Sequence, residues 1–342
     1  MTEKRNQDDT ARLRQLIMGF RFTQLIHVAT KLELSEHLAR GPLTGQELAS
    51  TVGVDAGALY RLLRALASLG IFSETTDARF EMTPAATLLQ RNTPGSLRST
   101  AMVYGDEMLW RAYGQMSYAI RTGRPAFEHV HGQPFYDYLG EHPRSAMLFN
   151  DAMTGFSEIE SSAIIAVCDV SQARTVVDVG GGQGALMEAL LHAHPHLQAV
   201  IFDISGPTAD TQRNFAVADI AKRARFIQGD FFTGVPEGGD IYFLKSILHN
   251  WDDSAAAAIL QKCRDAMSKD ACLLIAERVM PFGNLPSESK LFDINMLVTT
   301  GGRERTEAEY ASLFRAAGMQ LTKVTPTTSH LSLVEGVRSD QD

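Results

Sequence analysis

His249 stands in the run Lys245-Ser246-Ile247-Leu248-His249-Asn250-Trp251-Asp252-Asp253, directly after an apolar stretch, Asp240 to Leu244, that reads as a buried strand. An imidazole of pKa ~6.5 can take the proton of a phenol of pKa ~10 as its oxygen attacks an electrophile. The imidazolium so formed needs a carboxylate to orient it and offset its charge. Glu277, at the end of the apolar run Cys272 to Ala276, and Glu304, in Gly301-Gly302-Arg303-Glu304-Arg305-Thr306, are the two candidates. In isolation each would more often be a surface charge, and a lone histidine more often structural.

The partner for such a base begins at Thr175, in TVVDVGGGQGAL. Val176, Val177 and Val179 make a buried strand, Gly180, Gly181, Gly182 and Gly184 a turn, and Ala185 to Ala193 the helix after it. Glycines at a strand's C-terminal end let backbone approach a ligand, and the helix start offers free N–H groups. Gly180, Gly182 and Ala185 also fit the dinucleotide pattern, so an NAD enzyme is one reading. Asp178 inside the turn favours S-adenosylmethionine: a carboxylate suits a cationic amino-acid group and repels a pyrophosphate. A second strand, Ala199 to Phe202, ends in Asp203, placed to accept both ribose hydroxyls under either reading. A third, Ala224 to Gln228, leads to Asp230, for an adenine amino group, and Phe231, for the ring. Asp230 could equally be a capping residue before a turn.

These residues need a frame. From about residue 170, β-branched runs alternate with amphipathic helical stretches, the grammar of βαβ units on a parallel sheet. Lys245 and His249 then lie just past a strand end, where doubly wound sheets bind ligands. Before about 165 the chain reads as successive helices with one hairpin. Ala11 to Leu32 carries a broad apolar stripe that a second subunit could cover. Thr44 with Glu47 forms a capping box, Asp55 caps a second helix ended by Gly70, and Ile71–Glu74 pairs with Arg79–Met82. That order predicts a winged helix. DNA binding is disfavoured, because Glu36 to Gln90 holds six acidic against four basic side chains.

Composition agrees with an ordinary two-domain globular protein: 342 residues, 44 % hydrophobic, 21 % charged, net charge −8. The negative balance argues against nucleic-acid or anionic-membrane partners. Cys168, Cys263 and Cys272 have no framework spacing, the start is too polar for a signal peptide, and no apolar run approaches the ~20 residues of a membrane span. A cytoplasmic location is expected. His192, His194 and His196 are separated by Pro195 in a polar turn, so no metal site is expected.

Together LKSILHNWDD, Glu277 ahead of Pro281, GGRERTEAEY and the segment Phe149-Asn150-Asp151-Ala152-Met153 resemble the plant-caffeate and bacterial antibiotic-tailoring O-methyltransferases, over essentially the whole chain. The resemblance implies an α/β, Rossmann-like class I methyltransferase domain over 166–342. A mostly helical winged-helix dimerisation domain over 1–165 would precede it. It implies S-adenosylmethionine as cofactor, no metal, and a homodimer whose N-terminal helices exchange and line the partner's pocket. His249 then matches the base, with Glu277 and Glu304 flanking it. Gly180, Asp203, Asp230, Phe231 and Lys245 match cofactor contacts, beside Asp178 and Gly182 of the glycine turn.

Asn250 stands where plant catechol-type members carry Asp. Tyr104–Glu107 and Phe135–Leu139 faintly resemble phenazine-modifying members, so phenazines and polyketides are the candidate acceptors. Met102, Met108, Met153, Asn250, Asn295 and Met296 are candidate pocket-wall residues. The rival readings are a tailoring enzyme of the same fold that keeps the cofactor but catalyses hydroxylation, decarboxylation or a pericyclic reaction, then a winged-helix regulator and the NAD enzyme.

Overall fold

The computed structural model describes residues 2–217 and 220–339. The chain forms two compact units, residues 1–111 with 139–155 and residues 112–138 with 156–342. The sequence reading draws a single boundary at 165/166, whereas residues 112–138 group with the second unit.

The first unit forms as its local signals direct. The apolar stripe from Ala11 is carried by two helices, Thr2–Ile17 and Gly19–Lys31, interrupted at Met18. Leu13, Leu16, Ile17 and Phe20 are exposed in the single chain. Thr44 and Glu47 close a reciprocal capping box on Gly45–Val52, and the Asp55 carboxylate accepts from Ala58 N at 2.7 Å to start Ala56–Ser68. The expected hairpin is β2 (Phe72–Glu74) with β3 (Arg79–Met82), and a short strand, β1 (Leu43–Thr44), adds to β3. Leu34, Leu48, Leu63, Leu66, Phe72 and Phe80 fill the core between helices and hairpin.

The second unit is built on a seven-stranded sheet. Its strands are β4 (Thr175–Val179), β5 (Gln198–Asp203), β6 (Ala224–Gln228), β7 (Ile241–Lys245), β8 (Cys272–Glu277), β9 (Met319–Pro326) and β10 (Ser332–Arg338). They lie in the order β6-β5-β4-β7-β8-β10-β9. The five predicted strands run parallel. β10 inserts antiparallel between β8 and β9, a closing hairpin that the βαβ pattern does not foresee. Two apolar layers cover the faces, one around Val177, Tyr242, Ile259 and Phe314, the other around Val176, Leu186, Leu190 and Phe243. Strands so covered read as near-continuous apolar runs, which is why their positions were legible. Strand order reverses between β4 and β7, so the crevice beyond their C-terminal ends receives both the glycine loop and the His249 segment. Among the described residues no helix is long and apolar enough to cross a membrane.

Candidate active site

Beyond β4 the chain turns through Gly180, Gly182 and Gly184, all at positive φ, before the helix Ala185–Ala193 begins. At Gly180 a Cβ would meet Ile247 Cδ1 at 2.5 Å and Phe231 Cε1 at 3.8 Å. At Gly181 it would meet the Asp178 carboxylate at 2.5 Å. The loop is thus glycine partly for its conformation and partly for want of room. Asp203, at the end of β5, accepts from Gly182 N at 2.9 Å and from Ser205 N and Oγ at 3.0 Å.

Asp178 is only 2 % exposed. Burial pushes its carboxyl up to about 7; Asp203 adds to the rise and the Lys245 ammonium opposes it. Lys245, placed among cofactor contacts by the sequence, holds Glu160 Oε2 at 2.7 Å and Ser157 Oγ at 3.0 Å. Burial would raise the Glu160 carboxyl, but His330, hydrogen-bonded at 3.0 Å, and Lys245 bring it down to about 2. Asp230 Oδ1 accepts from Phe232 N at 2.9 Å, the turn-capping role weighed for it, and the Phe231 ring packs with Phe232 and edge-on to Trp251.

Beyond β7, Ser246 adopts positive φ (56°), and the short 3₁₀ turn Leu248–Asn250 carries His249, 7 % exposed. Left-handed backbone at a non-glycine residue is strained, and here it sets the direction of the turn. The turn is fixed from several distant parts of the chain. Glu277 Oε1 accepts from the backbone N–H groups of Ile247 (3.0 Å), Leu248 (2.5 Å) and His249 (3.2 Å), while Oε2 accepts from the Tyr310 hydroxyl at 2.6 Å. Burial and the adjacent Glu277 keep that hydroxyl protonated, its pKa raised well above the ordinary value. On the carbonyl side, fully buried Arg305 donates to Leu248 O (2.9 Å) and Trp251 O (2.8 Å), and Arg303 N donates to His249 O at 2.8 Å. A Cβ at Gly302 would lie 1.9 Å from that same His249 oxygen.

The two acids expected to flank His249 therefore divide the work. Glu304 Oε1 lies 2.9 Å from His249 Nδ1, inside the protein, with its own N–H held by Asp293 Oδ1 at 2.8 Å. Glu277 makes its hydrogen bonds to the turn's backbone and to Tyr310, and Glu304 alone hydrogen-bonds the ring. The Glu304 contact assigns the proton to Nδ1 and leaves Nε2 with its lone pair. Burial disfavours charge on the imidazole, but the Glu304 hydrogen bond and the Glu277 and Glu304 charges outweigh it, Arg278 opposing. The net result is a His249 pKa above the usual 6.5.

Asn250 donates to Ser246 O at 3.2 Å and accepts from the Tyr136 hydroxyl at 3.1 Å; Asn295 accepts from Tyr113 at 2.9 Å. Both amides thus already carry protein hydrogen bonds. Met296 is buried on the helix Glu288–Thr299, whose Phe292 ring stacks 6.1 Å from the His249 ring. Met102, Met108 and Met153 belong to the first unit. Phe292, Arg305 and Tyr310 were not singled out from the sequence. Tyr310 and Arg305 lie in the quoted GGRERTEAEY run, but nothing local shows that their partners lie 33 and 57 residues away. Among the described residues no group of three His, Cys, Asp or Glu side chains could hold a metal ion.

Comparison with known proteins shows the family. The model of the O-methyltransferase domain matches residues 113–320, and that of the O-methyltransferase dimerisation domain matches residues 14–92. This chain belongs to the O-methyltransferase family. A phenazine O-methyltransferase of Lysobacter antibioticus is 39 % identical over 94 % of this chain and 94 % of its own. The solved mitomycin 7-O-methyltransferase is 33 % identical, covering 99 % of this chain and 100 % of that one, with a TM-score of 0.90. An O-methyltransferase of neocarzinostatin biosynthesis, solved with S-adenosylmethionine and 2-hydroxy-5-methyl naphthoic acid, is 32 % identical. It covers 93 % of this chain and 96 % of its own, with a TM-score of 0.81. Family membership favours methyl transfer over the regulator, the dehydrogenase and the non-methylating tailoring enzyme.

Proposed function

We propose that this chain methylates a hydroxyl group on a small, mono- or polycyclic aromatic metabolite, using S-adenosylmethionine and His249 as general base. The observation that carries the proposal is the 2.9 Å contact between His249 Nδ1 and buried Glu304 on a turn braced at the mouth of the sheet crevice. Glu304 holds the ring in one orientation and stabilises it once protonated; Nε2 takes the hydroxyl proton as the acceptor oxygen becomes nucleophilic. Glu277 is a positioning residue that fixes the turn.

The glycine loop fits the cofactor chemically. Asp178, buried and poised near 7, is stabilised in its charged form by an ammonium, and Asp203 retains acceptor capacity for ribose hydroxyls. Gly180, Gly182, Asp230 and Phe231 are the further contacts we assign, with Lys245 acting through Asp178. When bound, the cofactor supplies an electrophilic methyl group on a sulfonium. The protein then contributes alignment and a deprotonated nucleophile.

Phenazines and hydroxynaphthoic acids, by extension from the relatives, are the acceptors to test first. Within the second unit Asn250, Asn295 and Met296 are the proposed pocket wall; Met102, Met108 and Met153, in the first unit, are proposed substrate contacts. The division at 165/166 would separate a dimerising part from the catalytic part. The exposed Leu13, Leu16, Ile17 and Phe20 support a homodimer through the N-terminal helices, and the odd, unframed cysteines a cytoplasmic location. Incubation with S-adenosylmethionine and a panel of phenols, hydroxynaphthoates and hydroxyphenazines should give a product 14 mass units heavier and S-adenosylhomocysteine. His249→Ala should lower turnover by about 10²-fold while cofactor binding survives. No methylated product from any acceptor contradicts the reaction; near-normal turnover in the variant contradicts the base.

A further inference from the structure

Arg278 follows Glu277 at the end of β8, and among the described residues it forms no ion pair. Only 7 % of the residue is exposed. Among the described residues its guanidinium makes no hydrogen bond and no ion pair, and its Nε is buried without a partner. Its close neighbour is the Phe292 ring, whose centroid lies 3.7 Å from Arg278 Cζ. The same ring lies 6.1 Å, centroid to centroid, from the His249 ring, so a permanent cation and the base share one aromatic neighbour.

A guanidinium has five donors and no acceptor, and leaving one of those donors, Nε, buried without a partner is unfavourable. Attraction to an aromatic face recovers only part of that loss. The cation also works against the base, since its field disfavours protonated His249. Both penalties disappear when an anion meets the guanidinium. The planar fork of an arginine matches a carboxylate in two parallel hydrogen bonds.

We infer that Arg278 recognises a carboxylate on the acceptor, so that the substrate class is hydroxylated aromatic acids. The inference rests on the methyl-transfer reading of the same site. A neutral acceptor leaves the guanidinium unpaired and is rejected for that reason, more strongly than a missing apolar contact would reject it.

The test uses the full-length protein saturated with S-adenosylhomocysteine, titrated with 2-naphthoate and with 2-naphthamide. Neither probe can be methylated on a hydroxyl. The expected result is naphthoate binding at least about 30-fold tighter than naphthamide, the size of one charge-assisted pair. Arg278→Met removes that preference, and Arg278→Lys keeps part of it. S-adenosylhomocysteine affinity stays unchanged in both variants, and the Tm of Arg278→Met is equal or higher, because an unpaired buried charge has been replaced by an apolar chain.

Equal binding of the two probes to the unaltered protein overturns the inference, as does a preference that survives in Arg278→Met. A loss of S-adenosylhomocysteine affinity assigns the arginine to the cofactor's own carboxylate, and a lowered Tm assigns it to the fold; either also overturns it. The two readings fail separately. Arg278-dependent naphthoate binding without methylation of any acceptor removes the methyl-transfer reading alone, and methylation without a carboxylate preference removes the inference alone.

Discussion

The loop after β4 and the turn after β7 face one crevice, yet they are held in place in opposite ways. Asp178 to Gly184 is shaped by its own residues: three glycines at positive φ and hydrogen bonds to the adjacent strand β5. Leu248 to Asn250 has little of its own. Its N–H groups are gathered by Glu277, 28 to 30 residues on, and its carbonyls by Arg303 and Arg305, more than 50 residues on. A site for a flexible cofactor can rest on backbone that tolerates close approach. A proton-transfer site needs one imidazole held to a fraction of an ångström, and long-range bracing supplies that.

Glycines in the two regions separate these modes. Gly302→Ala drives a methyl group into the His249 carbonyl and should cost roughly 3 kcal/mol, with turnover down by about 10²-fold through displacement of the base. Gly182→Ala meets no atom within 4 Å and bears only a positive-φ penalty, about 1 kcal/mol. Thermal melts on both proteins measure the contrast; equal losses of stability erase it.

A smaller effect belongs to Asp178. Its charged form holds an ammonium, and its carboxyl sits near 7 before any cation arrives. Cofactor affinity should therefore fall as pH drops through about 7, by up to roughly tenfold per unit. Asp178→Asn should bind more weakly and lose that slope, with the melting temperature little changed. Titration of S-adenosylhomocysteine between pH 6 and 8.5 checks it.

The same contrast explains what the sequence revealed. The parallel strands, the glycine loop, the Thr44 capping box and the Asp55 cap are local signals, and each stands where the residues placed it. The β9–β10 hairpin was missed because its partly exposed strands lack the apolar density of β4 or β7. At the site, His249 and Glu304 were legible only as a pattern of segments. That Glu277 would serve backbone, that Arg305 would be buried, and that Arg278 would lie unpaired on Phe292 are products of tertiary packing. No spacing rule within one element encodes them.

The account turns on Glu304 acting through the His249 ring, and the pH dependence of kcat/KM in Glu304→Gln tests that most directly. In the unaltered enzyme the acid limb should lie above 6.5, since burial is outweighed by Glu304 and Glu277, and activity appears as His249 loses its proton. Glutamine keeps the hydrogen bond but not the charge, so burial gains the upper hand. The limb should move down, and the plateau should fall roughly tenfold. A limb and plateau unchanged by the substitution would contradict the pairing of His249 with Glu304 as the source of the base.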